Sequence, residues 1–210
     1  MFKKSVVIRA NKLKKINLKF NYKTTIFLTL LLCGVIFGVT LSNKGNIAWH
    51  TFFNTFVHNH LTVKVSSSFF RNFCSIFISF VLICLFDYVC GLCGVGAPFL
   101  YLTPLFFGIY CGVVTSQFYY IYKLSGLLYC AIINTPCYAI TAATLIKCCT
   151  LSFDVSKEIF IYLLTGKSDT KGKILHKYTV QYLILCIPIA LSALLNVVSF
   201  KLFGNLFNFI

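Results

Sequence analysis

Between Met1 and Asp154 this chain carries a single carboxylate, Asp87. Over all 210 residues, 59% are hydrophobic and the net charge is +15. A soluble surface needs acidic and basic side chains interspersed over a polar skin. Apolar blocks separated by Lys-rich stretches fit a chain whose solvent is lipid.

A spanning helix takes about 20 mostly apolar residues, because the hydrocarbon core is ~30 Å thick and each residue rises ~1.5 Å. Five segments qualify: 24–41, 72–90, 95–115, 124–146 and 179–200. The first is the shortest, but Lys23 and Lys44 can extend along their own methylenes to the two interfaces. Only Gly91, Leu92, Cys93 and Gly94 separate the second from the third, which predicts a tight hairpin. Barrel strands would alternate apolar and polar residues, and these runs do not. The expected fold is all-α: a basic cytoplasmic tail over 1–23, then one polytopic membrane bundle of about five transmembrane helices over 24–210.

Charge placement orients the bundle. With the N-terminal end inside, fourteen Lys and Arg fall on the cytoplasmic side, Lys3 to Lys23 and Lys147 to Lys177, against five elsewhere: Lys44, Lys64, Arg71, Lys123 and Lys201. That bias follows the positive-inside rule and suits attraction to anionic inner-leaflet lipid. It places the end of the fifth helix outside the cell membrane. The lysines come without interleaved aromatics or a recognition helix, so the reading includes no nucleic acid. A cleaved secretion signal needs a short basic region and small residues at its cleavage site. Here 23 residues precede the first apolar run and Thr40-Leu41-Ser42 at its end is a poor cleavage site, so an uncleaved first helix is expected.

Most of the eleven cysteines fall inside the apolar runs, where a thiol packs as a small apolar group. Cys90-Gly-Leu-Cys93 has zinc or redox spacing, but no thioredoxin-like strand-helix-strand pattern surrounds it. No metal or cofactor is expected. At membrane depth there is no Ser-plus-Lys, His-Glu or paired-Asp constellation either, so the chain reads as non-enzymatic.

Two amphipathic stretches flank the spans. In the loop from Ser42 to Phe70, Trp49, Phe52, Phe53 and Phe56 recur with helical period, opposed by His50, Asn54 and His58. This predicts an outer interfacial helix whose polar face, with His50 and Asn54, is open to a partner. After the fourth span, Ser152 is placed to cap an inner interfacial helix through Leu164, followed by a Lys-rich linker over 167–177. Asp87 lies 15 residues beyond Asn72, about 22 Å deeper and near the inner boundary. Its plain reading is helix packing; a functional intramembrane acid is the sharper one.

Gly34 and Gly38 in the first span, and Gly108 and Gly112 in the third, put pairs of glycines on one helix face, where backbones can approach closely. Pro98, Pro104, Pro136 and Pro188 start or kink helices. Asn72, Gln117, Asn134 and Asn196 are placed to satisfy the backbone groups so freed.

In order along the chain stand Gly34-Val-Ile-Phe-Gly38, Phe69-Phe70-Arg71-Asn72, Gly96-Ala97-Pro98 with Gly108 and Gly112 following, and Gly126 with Pro136 ten residues on. This ordered set, over about 25–153, resembles the stage II sporulation protein M family. The stretch from Asn72 to Pro98 is longer than the family's. The resemblance implies a non-enzymatic scaffold that localises two extracytoplasmic cell-wall hydrolases, the stage II sporulation proteins D and P, during engulfment of the forespore. A permease subunit of an ATP-driven transporter, touching its ATPase through the 152–164 segment, is the alternative.

Overall fold

The computed structural model describes residues 22–44, 55, 68–165 and 171–204, and these form an all-helical bundle with no strand among them. Helix α1 covers Tyr22–Lys44, α2 Phe69–Leu92 and α3 Ala97–Tyr129. A π-helical turn, Cys130–Asn134, leads into α4, Thr135–Thr165, and α5 covers Lys171–Phe203. Four stretches are long and apolar enough to cross a membrane: Tyr22–Asn43, Phe69–Leu92, Ala97–Leu164 and Leu175–Phe203. The tail up to residue 21 and the outer stretch with Trp49, His50 and Asn54 lie outside the described residues.

The third stretch is 68 residues long, ~100 Å if straight and about three times the hydrocarbon thickness. It is not straight. At Lys123 the backbone takes φ 54° and ψ −131°, close to the first central position of a type II′ turn. Eleven residues separate Phe118 from Tyr129, ~16 Å along a helix, yet their rings stack with centroids 5.0 Å apart. A Cβ on Gly126 would sit 2.1 Å from the Phe118 carbonyl oxygen, so the returning leg needs glycine there. The chain therefore doubles back at Lys123.

Between α2 and α3 the connection is as short as the sequence predicts: the Cys93 amide donates to the Cys90 carbonyl (3.2 Å) and the Gly96 amide to that of Cys93 (2.9 Å). Pro98 then stands in the first turn of α3, where its missing N–H leaves nothing unpaired. Pro136 stands two residues beyond the π-helical turn, at the second position of α4. A proline ring clashes with the carbonyl four residues back, and a widened turn relieves that clash.

The tightest seam joins α1 to α3. A Cβ added to Gly34 would meet the Leu105 carbonyl oxygen at 2.4 Å, and one on Gly38 that of Ile109 at 2.4 Å. From the other side, a Cβ on Gly108 would meet the Leu31 oxygen at 2.3 Å, and one on Gly112 that of Val35 at 2.3 Å. Backbone lies directly on backbone over more than a turn of each helix. Around this seam Phe27, Phe80, Phe107, Cys137, Leu145 and Ile189 fill the core.

Two expectations need correction. Residues 152–164 are not a separate inner helix: α4 runs through them without a break. Ser152 caps nothing and is fully buried against Tyr178 of α5, whereas 157–164 beyond it are largely exposed. The Lys-rich 167–177 stretch is likewise no simple linker, since α5 already starts at Lys171.

Candidate functional site

Asp87 projects from the C-terminal half of α2 into the bundle and is wholly buried. Its two oxygens are used by two other helices. Thr103 Oγ1 of α3 donates to Oδ1 at 2.7 Å, and the Cys149 thiol of α4 donates to Oδ2 at 3.4 Å. Among the described residues no Lys or Arg pairs with it; the ion pair present there joins Lys23 of α1 to Asp154 of α4, and the Lys23 ammonium also lies 5.3 Å from the Phe153 ring. A carboxyl held by a hydroxyl and a thiol thus ties three helices at one point.

One turn further along α4 a second polar cluster begins. Ser152 Oγ shares hydrogen bonds with the hydroxyls of Tyr178, at 3.0 Å, and Tyr182, both on α5. Tyr178 Oη also donates to the Tyr88 carbonyl (3.1 Å), and Tyr182 Oη to that of Cys148 (3.3 Å). The rings of Tyr88 and Tyr178 stack at 5.0 Å, and Tyr182 meets both edge-on. Gly91 makes room for this, since a Cβ there would lie 2.2 Å from Tyr178 Oη. Ser156 Oγ donates to the Cys93 carbonyl at 2.7 Å, fastening the α2–α3 turn to α4. Beside Asp87, the sulfurs of Cys84 and Cys148 lie 3.8 Å apart in the same packed interior.

Towards the other end of the bundle the polar contacts differ from the sequence expectation. Gln117 Nε2 donates to Ser42 Oγ at 2.7 Å, linking α3 to α1, and Ser116 donates to Asn43 at 3.4 Å. Asn196 Nδ2 donates to Asn134 Oδ1 at 3.5 Å. These amides join helix to helix rather than serving the proline-freed carbonyls, because each faces another buried amide or hydroxyl. Cys137 and Thr141 of α4 both meet Ser192 of α5, at 3.2 and 2.8 Å.

The structure therefore gathers Asp87 with Thr103 and Cys149, and sets Gly34 and Gly38 against Gly108 and Gly112. Among the described residues it brings no hydrogen-bond partner to the thiols of Cys90 and Cys93; the contact made there is from Ser156 to the Cys93 carbonyl. The roles of Thr103, Ser152, Tyr178 and Tyr182 escaped the sequence reading. A signal existed: Thr144, Cys148, Ser152 and Ser156 recur every four residues along an apolar helix. In lipid, a polar stripe of that period marks the face turned to other helices.

No protein-family model, curated protein or solved structure matches this chain.

Proposed function

We propose that this protein is a multi-pass scaffold of the cell membrane, with five spans, its N-terminal end cytoplasmic and the end of α5 outside. The Ala97–Leu164 stretch supplies two of the spans, one on each side of the reversal at Lys123. The outer segment between α1 and α2 carries the interfacial helix, and His50 and Asn54 on it recruit extracytoplasmic cell-wall hydrolases. Proteins D and P of stage II sporulation are the partners implied by the family resemblance.

The observation that carries this reading is the α1–α3 seam. Four glycines bring the two backbones into contact, and the Ser42–Gln117 hydrogen bond holds their outer ends together. The outer segment thus leaves the bundle from a fixed base, as a recruiting surface requires. The permease reading asks for a cytoplasmic helix free to engage an ATPase; on α4 that surface is confined to the exposed end with Phe160 and Leu164, since Ser152 and Ser156 are buried.

Crosslinked pull-down from sporulating cells tests the proposal. With His50→Ala and Asn54→Ala together, hydrolase capture should fall while membrane insertion is unchanged. Phe160→Ala with Leu164→Ala, on the exposed inner end of α4, should leave capture intact. Silent outer substitutions, together with an ATPase lost from the inner variant, would replace the scaffold by the permease.

A further inference from the structure

A groove of about 770 Å³ runs along the flank of the bundle between α2 and α3. Its walls extend from Ser75 to Phe86 on one helix and from Phe99 to Tyr110 on the other. Eleven residues of helix make ~16 Å, roughly half the depth of the hydrocarbon core. The rims are Leu82 and Phe86 facing Phe99, Leu102 and Phe106, all exposed and continuous with the apolar outer surface of both helices.

The groove holds few polar groups, Ser75, Ser79, Thr103 and Tyr110, and most of them are turned to the protein. Ser79 Oγ donates to the Ser75 carbonyl at 2.8 Å, and Thr103 Oγ1 turns inward to Asp87. Tyr110 packs edge-on against Tyr138, with ring centroids 6.0 Å apart. An occupant therefore gains from dispersion and apolar contact, and a polar molecule would give up hydration without finding partners. A transmembrane partner helix binds through small residues on both rims, which let backbones approach. Here the rims are largely Phe and Leu, which hold a helix off while leaving a slot that a flexible hydrocarbon chain can enter.

We propose that this groove is an intramembrane binding site for the acyl chain of a bilayer lipid. The inference rests on α2 and α3 spanning the bilayer and is independent of the scaffold role. The test uses the full chain reconstituted in phosphatidylcholine vesicles, with a trace of phosphatidylcholine bearing a diazirine midway along one acyl chain. After irradiation, adducts mapped by mass spectrometry should be several-fold denser on Leu82, Leu102 and Phe106 than on Leu183, Ile184 and Ile187, which are comparably exposed on α5. Ser79→Trp, or separately Leu82→Trp, fills the slot and should remove most of the excess at Leu102 and Phe106 while sparing α5. Ser79 is itself exposed, so the bundle should fold with this change. Equal labelling of groove and α5 would overturn the site. So would unchanged labelling in both filled variants, or crosslinks from Leu102 and Phe106 to a second protein in place of lipid.

Discussion

Gly108→Ala places a methyl group 2.3 Å from the Leu31 carbonyl oxygen, 3.0 Å from the Val35 amide nitrogen and 3.1 Å from Gly34 Cα. All three are backbone atoms, so no side-chain rotation can clear them. Ordinary contact begins near 3.4 Å, and α1 must therefore recede from α3 by about 1 Å at this crossing. Overpacking of that kind typically costs ~1–3 kcal/mol. Replacing glycine by alanine inside a helix returns ~1 kcal/mol of propensity; because backbone atoms cannot rotate away, the upper end of that cost applies and the net loss is about 2 kcal/mol. Gly34→Ala meets the same crossing from the other side, with its methyl group 3.2 Å from Gly108 Cα. Once one methyl has parted the helices, the second enters at lower cost, so the double variant should be less destabilised than the two losses added together. Gly204→Ala is the control, because its Cβ would meet only the Phe200 ring at 3.4 Å or beyond. The assay is unfolding by dodecyl sulfate in mixed micelles, read by limited proteolysis. If Gly108→Ala and Gly34→Ala unfold at the wild-type detergent fraction, or their losses add fully, the backbone seam described above is not what holds α1 to α3.

In the same assay Thr103→Val should lose about 1–3 kcal/mol, because the buried Asp87 carboxyl then keeps the Cys149 thiol but no hydroxyl; an unchanged midpoint would mean that Thr103 does not serve it. Lys123→Gly should stabilise by ~1 kcal/mol or more, since φ 54° suits glycine and strains lysine; a loss of stability would argue against the turn at that residue. The Lys23–Asp154 pair is partly open to solvent, with Asp154 46% exposed, so Lys23→Ala should cost only ~0.2–1 kcal/mol. The exchange Lys23→Asp with Asp154→Lys should recover part of what Lys23→Asp alone loses, and no recovery would mean the two charges do not meet.

The features legible in the sequence were those set by local pattern. Apolar length marked α1, α2 and α5, and the four residues Gly91 to Gly94 marked the α2–α3 turn. What stayed hidden depends on which helices meet. Gly34 and Gly108 announce a close approach, but their spacing does not say that they approach each other. Ser152 reads as a cap because Ser is a good one, and only the arrival of Tyr178 and Tyr182 from α5 turns it into a buried link. Asp87 looked solitary because its partners are a threonine and a cysteine, residues that carry no charge pattern and lie 16 and 62 positions away. The 152–164 segment reads as a separate helix for a related reason, whereas α4 runs through it unbroken and buries Ser152. A helix face turned to other helices and one turned to a membrane surface can show the same period.

Side-specific labelling of single engineered cysteines tests the membrane architecture most directly. With the exposed Cys33 and Cys93 replaced by Ser, a membrane-impermeant maleimide is applied to intact cells carrying a cysteine at Ser66, Lys123, Val95 or Ser168. Five spans with the chain doubling back at Lys123 predict that Ser66→Cys and Lys123→Cys react from outside, and that Val95→Cys and Ser168→Cys react only after permeabilisation. Protection of Lys123→Cys in intact cells alongside reaction of Ser66→Cys, or the reverse pattern at all four positions, would contradict the account.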